Sequence, residues 1–212
     1  MTTTYKVILS LSLIMIVCFS FAPSAYSWLY YSKPEFRGRV IDAETKQPVE
    51  DAVVVVLYEK WEFGGPGGGN TFPIDAKETL TDQSGDFYFP TYKTLIGPLS
   101  RVSDVSFIIF KPGYMSLIRI AGLKIPDEKY FAIGKDMLGK EGDIKYVDTH
   151  FAEPVTYMWK GLMGIVELKK AKTREEKWRA PMVFTSSLKS KDLPLLFKAI
   201  EEAEKDLKRE GI

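Results

Sequence analysis

Few side chains in this sequence of 212 residues have the type and spacing that catalysis requires. His150 is the only histidine. It could form a nucleophile–base pair with a serine, but the residues around it match neither a known triad nor a nucleophile elbow. The many acidic residues follow no pattern that identifies the paired carboxylates of a glycosidase. We therefore expect that the protein is not an enzyme, and a hydrolase that uses His150 and a carboxylate is a distant alternative.

The sequence also gives little support for a metal or cofactor site. Zinc sites built from Cys and His need several such ligands, whereas the chain has one histidine and one cysteine, Cys18. Asp82, Ser84 and Asp86 alternate as in a calcium loop. The final acidic ligand of such a loop would fall at Lys93, so the pattern favours a plain turn. We expect no metal and no cofactor.

Aromatic residues flank a glycine-rich run at residues 64–70, which we expect to be a mobile loop. The run lacks the GK[ST] ending of a phosphate-binding loop, so we reject nucleotide binding. Exposed aromatic side chains on a sheet can stack on sugars or clamp a peptide, although aromatic residues more often belong to the core. The candidate ligand-binding residues are Trp61, Phe63, Phe72 and Tyr92.

The composition is that of an ordinary globular protein, 45% hydrophobic and 27% charged. The 29 basic and 28 acidic residues give a formal net charge of +1. A nucleic-acid binder needs a basic surface, so we expect no nucleic-acid partner. A framework of disulfides needs at least two cysteines and is excluded as well.

Residues 1–27 resemble an export signal in their order of polar, apolar and small residues. Lys6 is the only charge at the start, and residues 7–22 form an uncharged apolar run of sixteen residues. Small residues at positions 25 and 27 then offer a cleavage site. With Lys6 on the cytoplasmic side, the rest of the chain is exported to the periplasm or cell envelope.

The fate of this leader has three alternatives. The run is short for a transmembrane helix, which favours cleavage after Ser27. Because no charge follows until Lys33, an uncleaved membrane anchor is the second alternative. A lipid anchor at Cys18 is the third, although Val17 occupies the place where lipoprotein signals carry a small residue.

The middle of the chain has the signals of β-strands. Gly85 marks a hairpin turn between two of the expected strands, because glycine accepts a positive φ. Residues 122–151 mix glycine, proline and charges and are expected to be an elaborated crossover. The predicted strands are residues 37–41, 52–58, 78–82, 86–89, 102–110 and 161–169.

The last forty residues change to a helical period. Thr173 and Glu176 have capping-box spacing and predict a short charged helix. A longer helix is expected to start at Ser190, with Pro194 near its first turn and Gly211 at its end. Its apolar stripe consists of Leu193, Leu196, Ile200, Ala203 and Leu207.

This stripe predicts that the longer helix packs on the β domain, and a partner-binding or dimerising helix is the alternative. Charge supports the first interpretation. Residues 33–159 have 15 basic and 19 acidic residues, and residues 160–212 have 13 basic and 9 acidic. We expect attraction between the two parts; an anionic membrane surface or envelope polymer is a further candidate partner for the tail.

Three segments carry a family signature when they are taken together. They are residues 36–56, with Thr45 and Pro48 between two strands; residues 79–87, with Gly85 in a tight turn; and residues 107–114, ending in Pro112-Gly113-Tyr114. In this order they resemble carboxypeptidase regulatory-like domains. The resemblance implies a prealbumin-like (transthyretin-like) β-sandwich, an accessory module without catalytic residues of its own.

We therefore predict a mainly β protein: a prealbumin-like sandwich with an elaborated crossover and a C-terminal α-helix, preceded by a hydrophobic leader helix. The predicted divisions are the leader or anchor at 1–27, the sandwich at 34–171 and the helical tail at 172–212. The expected function is non-catalytic binding or scaffolding in the cell envelope, with an envelope protein or polysaccharide as partner and membrane attachment through the N-terminus as an option. The alternative is a carbohydrate- or peptide-binding module that uses the aromatic residues near the glycine run.

Overall fold

The structure is a computed structural model that describes residues 30–97, 100–117, 131, 144–148, 155–160, 163–180 and 191–211. The predicted leader and His150 lie outside the described residues. The strands are β1 (Tyr30–Lys33), β2 (Phe36–Asp42), β3 (Val53–Phe63), β4 (Gly69–Leu80), β5 (Asp86–Phe89), β6 (Tyr92–Leu95), β7 (Ser100–Phe110), β8 (Ile144–Asp148), β9 (Val155–Lys160) and β10 (Met163–Leu168), and the helices are α1 (Arg174–Arg179) and α2 (Pro194–Arg209).

The strands form three sheets. The strand orders are β5-β2-β10-β9-β8, β4-β3-β7 and β1-β6. Every pair is antiparallel except β2 with β10, which is parallel. The described residues thus confirm the prediction of a mainly β protein with a C-terminal helix.

The five-stranded and three-stranded sheets pack face to face around the main hydrophobic core. Phe36 and Phe87 from the first sheet meet Val54 and Phe107 from the second, and all four are buried. The rings of Phe36 and Phe107 lie edge to face with centroids 5.2 Å apart. Edge-to-face pairs add to the stabilisation from buried area, so aromatic contacts join the two sheets.

A second core lies on the opposite face of the three-stranded sheet, where α2 packs. Leu193, Leu196, Ala199 and Ala203 contact the buried side chains of β3 and β7, which are Val53, Val55, Ile108 and Phe110. The apolar residues at the start of β3 do not alternate with polar ones, because one face of the strand packs on the five-stranded sheet and the opposite face packs on α2. The prediction that the longer helix packs on the β domain is confirmed.

Glu78 of β4 caps the first turn of α2. Its two carboxylate oxygens accept hydrogen bonds from the backbone N–H groups of Leu195 (2.7 Å) and Leu196 (2.9 Å). The residue before the helix, Leu193, offers no side-chain acceptor. The predicted start at Ser190 is therefore not the observed one: α2 begins at Pro194, because a strand supplies the cap.

Ion pairs also join residues 160–212 to residues 33–159, in agreement with the predicted attraction between these two parts. Lys170 lies 3.3 Å from the carboxylate of Asp42, and Lys172 pairs with Glu44. The capping box of α1 is present as predicted: Glu176 N–H donates to the Thr173 hydroxyl at 3.1 Å, and the Glu176 carboxylate accepts from Thr173 N–H.

The strands β4 and β5 do not form the predicted hairpin. The turn between them exists, with Gly85 at φ +74, but β4 pairs with β3 and β5 pairs with β2. The buried Thr81 hydroxyl donates to Val49 O (2.6 Å) and accepts from Ala52 N–H (2.8 Å), which fixes the chain where it crosses between sheets. The hairpin prediction is wrong because a turn signal does not specify which sheet the next strand joins.

The predicted crossover contributes more than a connection. It contains β8, which pairs with β9 at the end of the five-stranded sheet. It also contributes Phe131, whose buried ring lies 4.5 Å from the ring of Phe107 and 5.0 Å from that of Phe87 (centroid distances). A Cβ at Gly38 would lie within 2.6 Å of both Phe87 and Phe131, so glycine leaves the space that these rings occupy.

Candidate functional site

The long hairpin of β3 and β4 extends beyond both hydrophobic cores. We call residues 59–73 the hairpin arm. All of them are described, and none belongs to either core. Burial decreases along β3, from the fully covered Val53 to the exposed Phe63. A β-bulge after Tyr58 marks the point at which the arm leaves the sandwich.

One face of the arm carries an aromatic pair and an arginine. Trp61 and Phe63 are two residues apart on β3, so they share this face, and their ring centroids lie 6.4 Å apart. Arg101 of β7 is opposite Trp61, and its guanidinium lies 5.1 Å from the Trp61 ring centroid. The Trp61 ring covers the backbone of Gly69, where a Cβ would lie 2.2 Å from a ring carbon. Phe63 is left 55% exposed.

The opposite face of the arm combines an ion pair with exposed apolar side chains. Lys60 and Glu62 form the pair at 2.5 Å, and Ser100 Oγ donates to Glu62 at 3.2 Å. The hydrogen bond from Lys60 lowers the pKa of Glu62. Phe72 and Val102 flank Lys60 on the neighbouring strands, so they share its face, and both are exposed.

The glycine run closes the arm as an ordered turn. Gly64 N–H donates to Gly68 O at 2.8 Å, and Gly68 N–H donates to Gly65 O at 3.0 Å. Gly65 and Gly68 have φ values of +97 and +104, which favour glycine. The prediction that residues 64–70 form a loop is wrong for Gly69 and Asn70, which begin β4 and pair with β3.

The structure brings together only two of the four predicted ligand-binding residues. Trp61 and Phe63 share a face, whereas Phe72 lies on the other face of the same arm. Tyr92 lies elsewhere: it stacks on Tyr58 with centroids 4.0 Å apart. Burial raises the pKa of Tyr92, and the Asp75 carboxylate raises it further. Tyr92 therefore belongs to a packed tyrosine cluster at the edge of the main core.

The contribution of β7 to this site was not predicted. Arg101 and Val102 lie opposite Trp61 and Lys60. The predicted strand began at Val102, so Arg101 fell outside it. Knowledge of the register of β7 against β3 would have located Arg101 and Val102 at this site. However, the register between strands about forty residues apart is a long-range property. No local signal in the sequence specifies it.

The polar turn at residues 82–86 is satisfied by its own chain. Asp82 accepts hydrogen bonds from the N–H groups of Ser84 (2.8 Å) and Asp86 (2.9 Å). Asp86 forms a two-point ion pair with Arg39, with distances of 2.5 and 2.8 Å. This is the plain turn that the sequence favoured. In the described part of the chain, no group of three His, Cys, Asp or Glu side chains could hold a metal ion.

Comparison with known proteins adds little to this geometry. No protein-family model matches the chain, and no curated protein sequence matches it. Among solved structures, the crystal structure of 3-chlorocatechol 1,2-dioxygenase from Rhodococcus opacus 1CP matches with a TM-score of 0.26 and 17% identity, covering 66% of this chain. The match spans 60% of that enzyme. A TM-score this low indicates neither a common fold nor a common activity. Neither helix in the described residues is long and apolar enough to cross a membrane.

Proposed function

We propose that the protein is a non-catalytic binding or scaffolding β-sandwich of the cell envelope, and that the hairpin arm contacts a polypeptide partner. One observation carries the proposal: beyond both cores, the arm holds large apolar side chains out to solvent. Phe63 is 55% exposed on one face, and Phe72 is 44% exposed on the other. Large apolar groups held in water on an ordered hairpin favour a partner that covers them.

The composition of the arm suits a protein interface. Aromatic residues and arginine are enriched in the buried centres of such interfaces and supply most of their binding energy. Arg101 lies over the Trp61 ring, with its guanidinium 5.1 Å from the ring centroid. A guanidinium at an interface can bind a carboxylate or a backbone carbonyl of the partner.

A polypeptide fits this surface better than a sugar. A sugar that stacks on tryptophan needs an open ring face. Gly69 supports the Trp61 ring, and the Arg101 guanidinium lies over it, so both groups compete with a sugar for the ring. Phe63 and Phe72 are open, but they lie on opposite faces and do not form one platform. Carbohydrate binding is therefore the second candidate.

We also propose that the described sheets belong to a prealbumin-like carboxypeptidase regulatory-like domain. Its support is that the three signature segments contact one another. Val40 N–H donates to Gly85 O at 2.9 Å, which links the first segment to the second. The Tyr114 hydroxyl donates to Asp42 at 3.0 Å, which links the third segment to the first. The leader sequence supports export and a location in the periplasm or envelope as parts of the proposal.

Photo-crosslinking of the full chain in its native envelope tests the binding proposal. A photoreactive phenylalanine analogue replaces Phe63 or Phe72, and Tyr88 is the control site because it is similarly exposed on a different sheet. We expect a crosslinked polypeptide from positions 63 and 72 and none from 88. The double variant Phe63→Ser/Phe72→Ser should lower the affinity for the captured partner by about tenfold or more, with an unchanged melting temperature.

Three results would contradict the proposal. Crosslinking to a polysaccharide would favour the carbohydrate-binding alternative. Equal capture at positions 63, 72 and 88 would show that the arm has no special role. Turnover of an envelope substrate by the purified protein would refute the non-catalytic part.

A further inference from the structure

A second exposed apolar surface lies on the small sheet of β1 and β6, which is separate from the sheet that carries the hairpin arm. Tyr30 of β1 is directly opposite Leu95 of β6. Their exposed fractions are 47% and 76%, and Leu95 is the most exposed large apolar side chain among the described residues. Opposed residues of an antiparallel pair have neighbouring Cβ atoms, so the two side chains form one patch.

The other face of this sheet is fixed to the protein. Tyr31 is fully buried, and its ring makes edge-to-face contacts with Tyr58 at 6.4 Å and Tyr92 at 5.9 Å. Side chains alternate along a strand, so burial of Tyr31 turns Tyr30 outward. The patch is therefore presented by a sheet that the tyrosine cluster anchors to the main core.

The charges of the sheet have one sign. β1 and β6 contain two charged residues, Lys33 and Lys93, and neither strand contains an acidic residue. Lys93 is exposed and lies opposite Ser32, on the same face as Tyr30 and Leu95. A tyrosine, a leucine and a lysine on one face are the combination that suits a membrane interface with anionic headgroups.

The sequence before β1 brings this face close to a bilayer. Residues 7–22 are uncharged and apolar, and no charge occurs between Lys6 and Lys33. The link from Ala22 to Tyr30 can span at most about 30 Å even when it is fully extended. When the apolar run is embedded in a membrane, Tyr30 and its sheet are held near the headgroups.

We propose that the outer face of β1 and β6, with Tyr30, Leu95 and Lys93, rests on an anionic lipid surface. The proposal rests on the uncleaved anchor, the second alternative for the leader. The apolar run then tethers the chain, and this face orients the folded domain. The hairpin arm belongs to a different sheet. Contact with lipid at this face does not depend on the identity of the arm's partner.

Depth-dependent quenching tests this orientation in the full chain. The protein is reconstituted in vesicles of phosphatidylcholine and phosphatidylglycerol, in a Cys18→Ser background that removes the native thiol. An environment-sensitive fluorophore is attached at Leu95→Cys or at the control Leu80→Cys, which is 41% exposed on the three-stranded sheet. We expect nitroxide lipids to quench the label at 95 about threefold more than the label at 80.

Two further variants separate lipid contact from simple tethering. Tyr30→Ser and Lys93→Glu should each reduce the quenching at 95 while the protein stays bound to the vesicles. Equal quenching at 95 and 80 would overturn the proposal. So would release of the chain from the vesicles. Formation of a disulfide-linked dimer by the unlabelled Leu95→Cys variant, without lipid quenching of the labelled one, would also overturn it and would assign the face to a second copy.

Discussion

Asp42 shows how one buried carboxylate fixes the loop that follows β2. It accepts hydrogen bonds from the N–H groups of Glu44 (2.9 Å) and Thr45 (2.8 Å), and from the Tyr114 hydroxyl (3.0 Å). Lys170 lies 3.3 Å away. Burial alone would raise the pKa of Asp42, but these donors outweigh it and hold the pKa well below its ordinary value.

The direction of this shift fixes the sign of a pH dependence. A carboxyl group whose pKa is lowered by folding stabilises the protein above its unfolded pKa, near 3.8 for Asp, and loses this effect as the pH falls. Asp42→Asn cannot become charged. We expect it to lower the free energy of unfolding by about 1–3 kcal/mol at pH 7, because charge-assisted hydrogen bonds are lost.

Urea unfolding between pH 7 and pH 2 measures this effect. The difference between wild type and Asp42→Asn should narrow below pH 4, because Asp42 is then increasingly protonated in the unfolded chain. Asp206→Asn is the control, since Asp206 is an exposed helix residue that pairs with Arg209 at 3.1 Å. A difference that stays constant down to pH 2 would contradict the assigned role.

At the residue scale, the sequence predicted which kinds of side chain occur at the candidate site better than it predicted how they are arranged. Exposed aromatics next to a glycine turn were predictable, and Trp61 and Phe63 share a face because they alternate on one strand. Tyr92 failed as a candidate because its stacking on Tyr58 depends on β6 lying against β3, which is a tertiary contact. Arg101 was missed for the same reason.

At the scale of elements, α2 depends on a strand for its first turn. Pro194 cannot donate a hydrogen bond, and Glu78 of β4 satisfies the next two N–H groups. A carboxylate at this position also interacts favourably with the helix dipole. The docking of α2 was predictable from spacing, but its apolar stripe only in part, because Ala199 was missed and Leu207 is not in the second core. This cap was not predictable, since it comes from a distant strand.

Glu78→Ala should therefore destabilise the docked helix by about 1 kcal/mol, the usual cost of losing an N-cap. Hydrogen exchange of the α2 amides measures the effect locally, and protection should fall first at Leu195 and Leu196. Glu202→Ala is the control, because Glu202 is exposed and lies 3.9 Å from its partner Lys198. Equal protection in the two variants would show that the contact with Glu78 contributes nothing.

At the scale of the whole molecule, two hydrophobic cores share one sheet. The inner faces of β3 and β7 pack on the five-stranded sheet, and their outer faces pack on α2. Sequence predicted both layers through the continuous apolar run in β3, but not the division of the strands among three sheets. Pairing between distant strands follows from global packing, and the turn at Gly85 illustrates how a correct local signal led to the wrong partner.

Because the cores share strands, the helix and the sheets should unfold together. Leu196 is fully buried in the second core, so Leu196→Ala should cost about 2–5 kcal/mol. Far-ultraviolet circular dichroism follows the backbone of the whole chain, and tryptophan fluorescence follows side-chain environments that include Trp61 on the hairpin arm. The two midpoints should move down together in urea, as expected for a cooperative unit. Lys198→Ala, on the exposed side of α2, should leave both midpoints nearly unchanged, and separate transitions in Leu196→Ala would show that α2 unfolds without the sandwich.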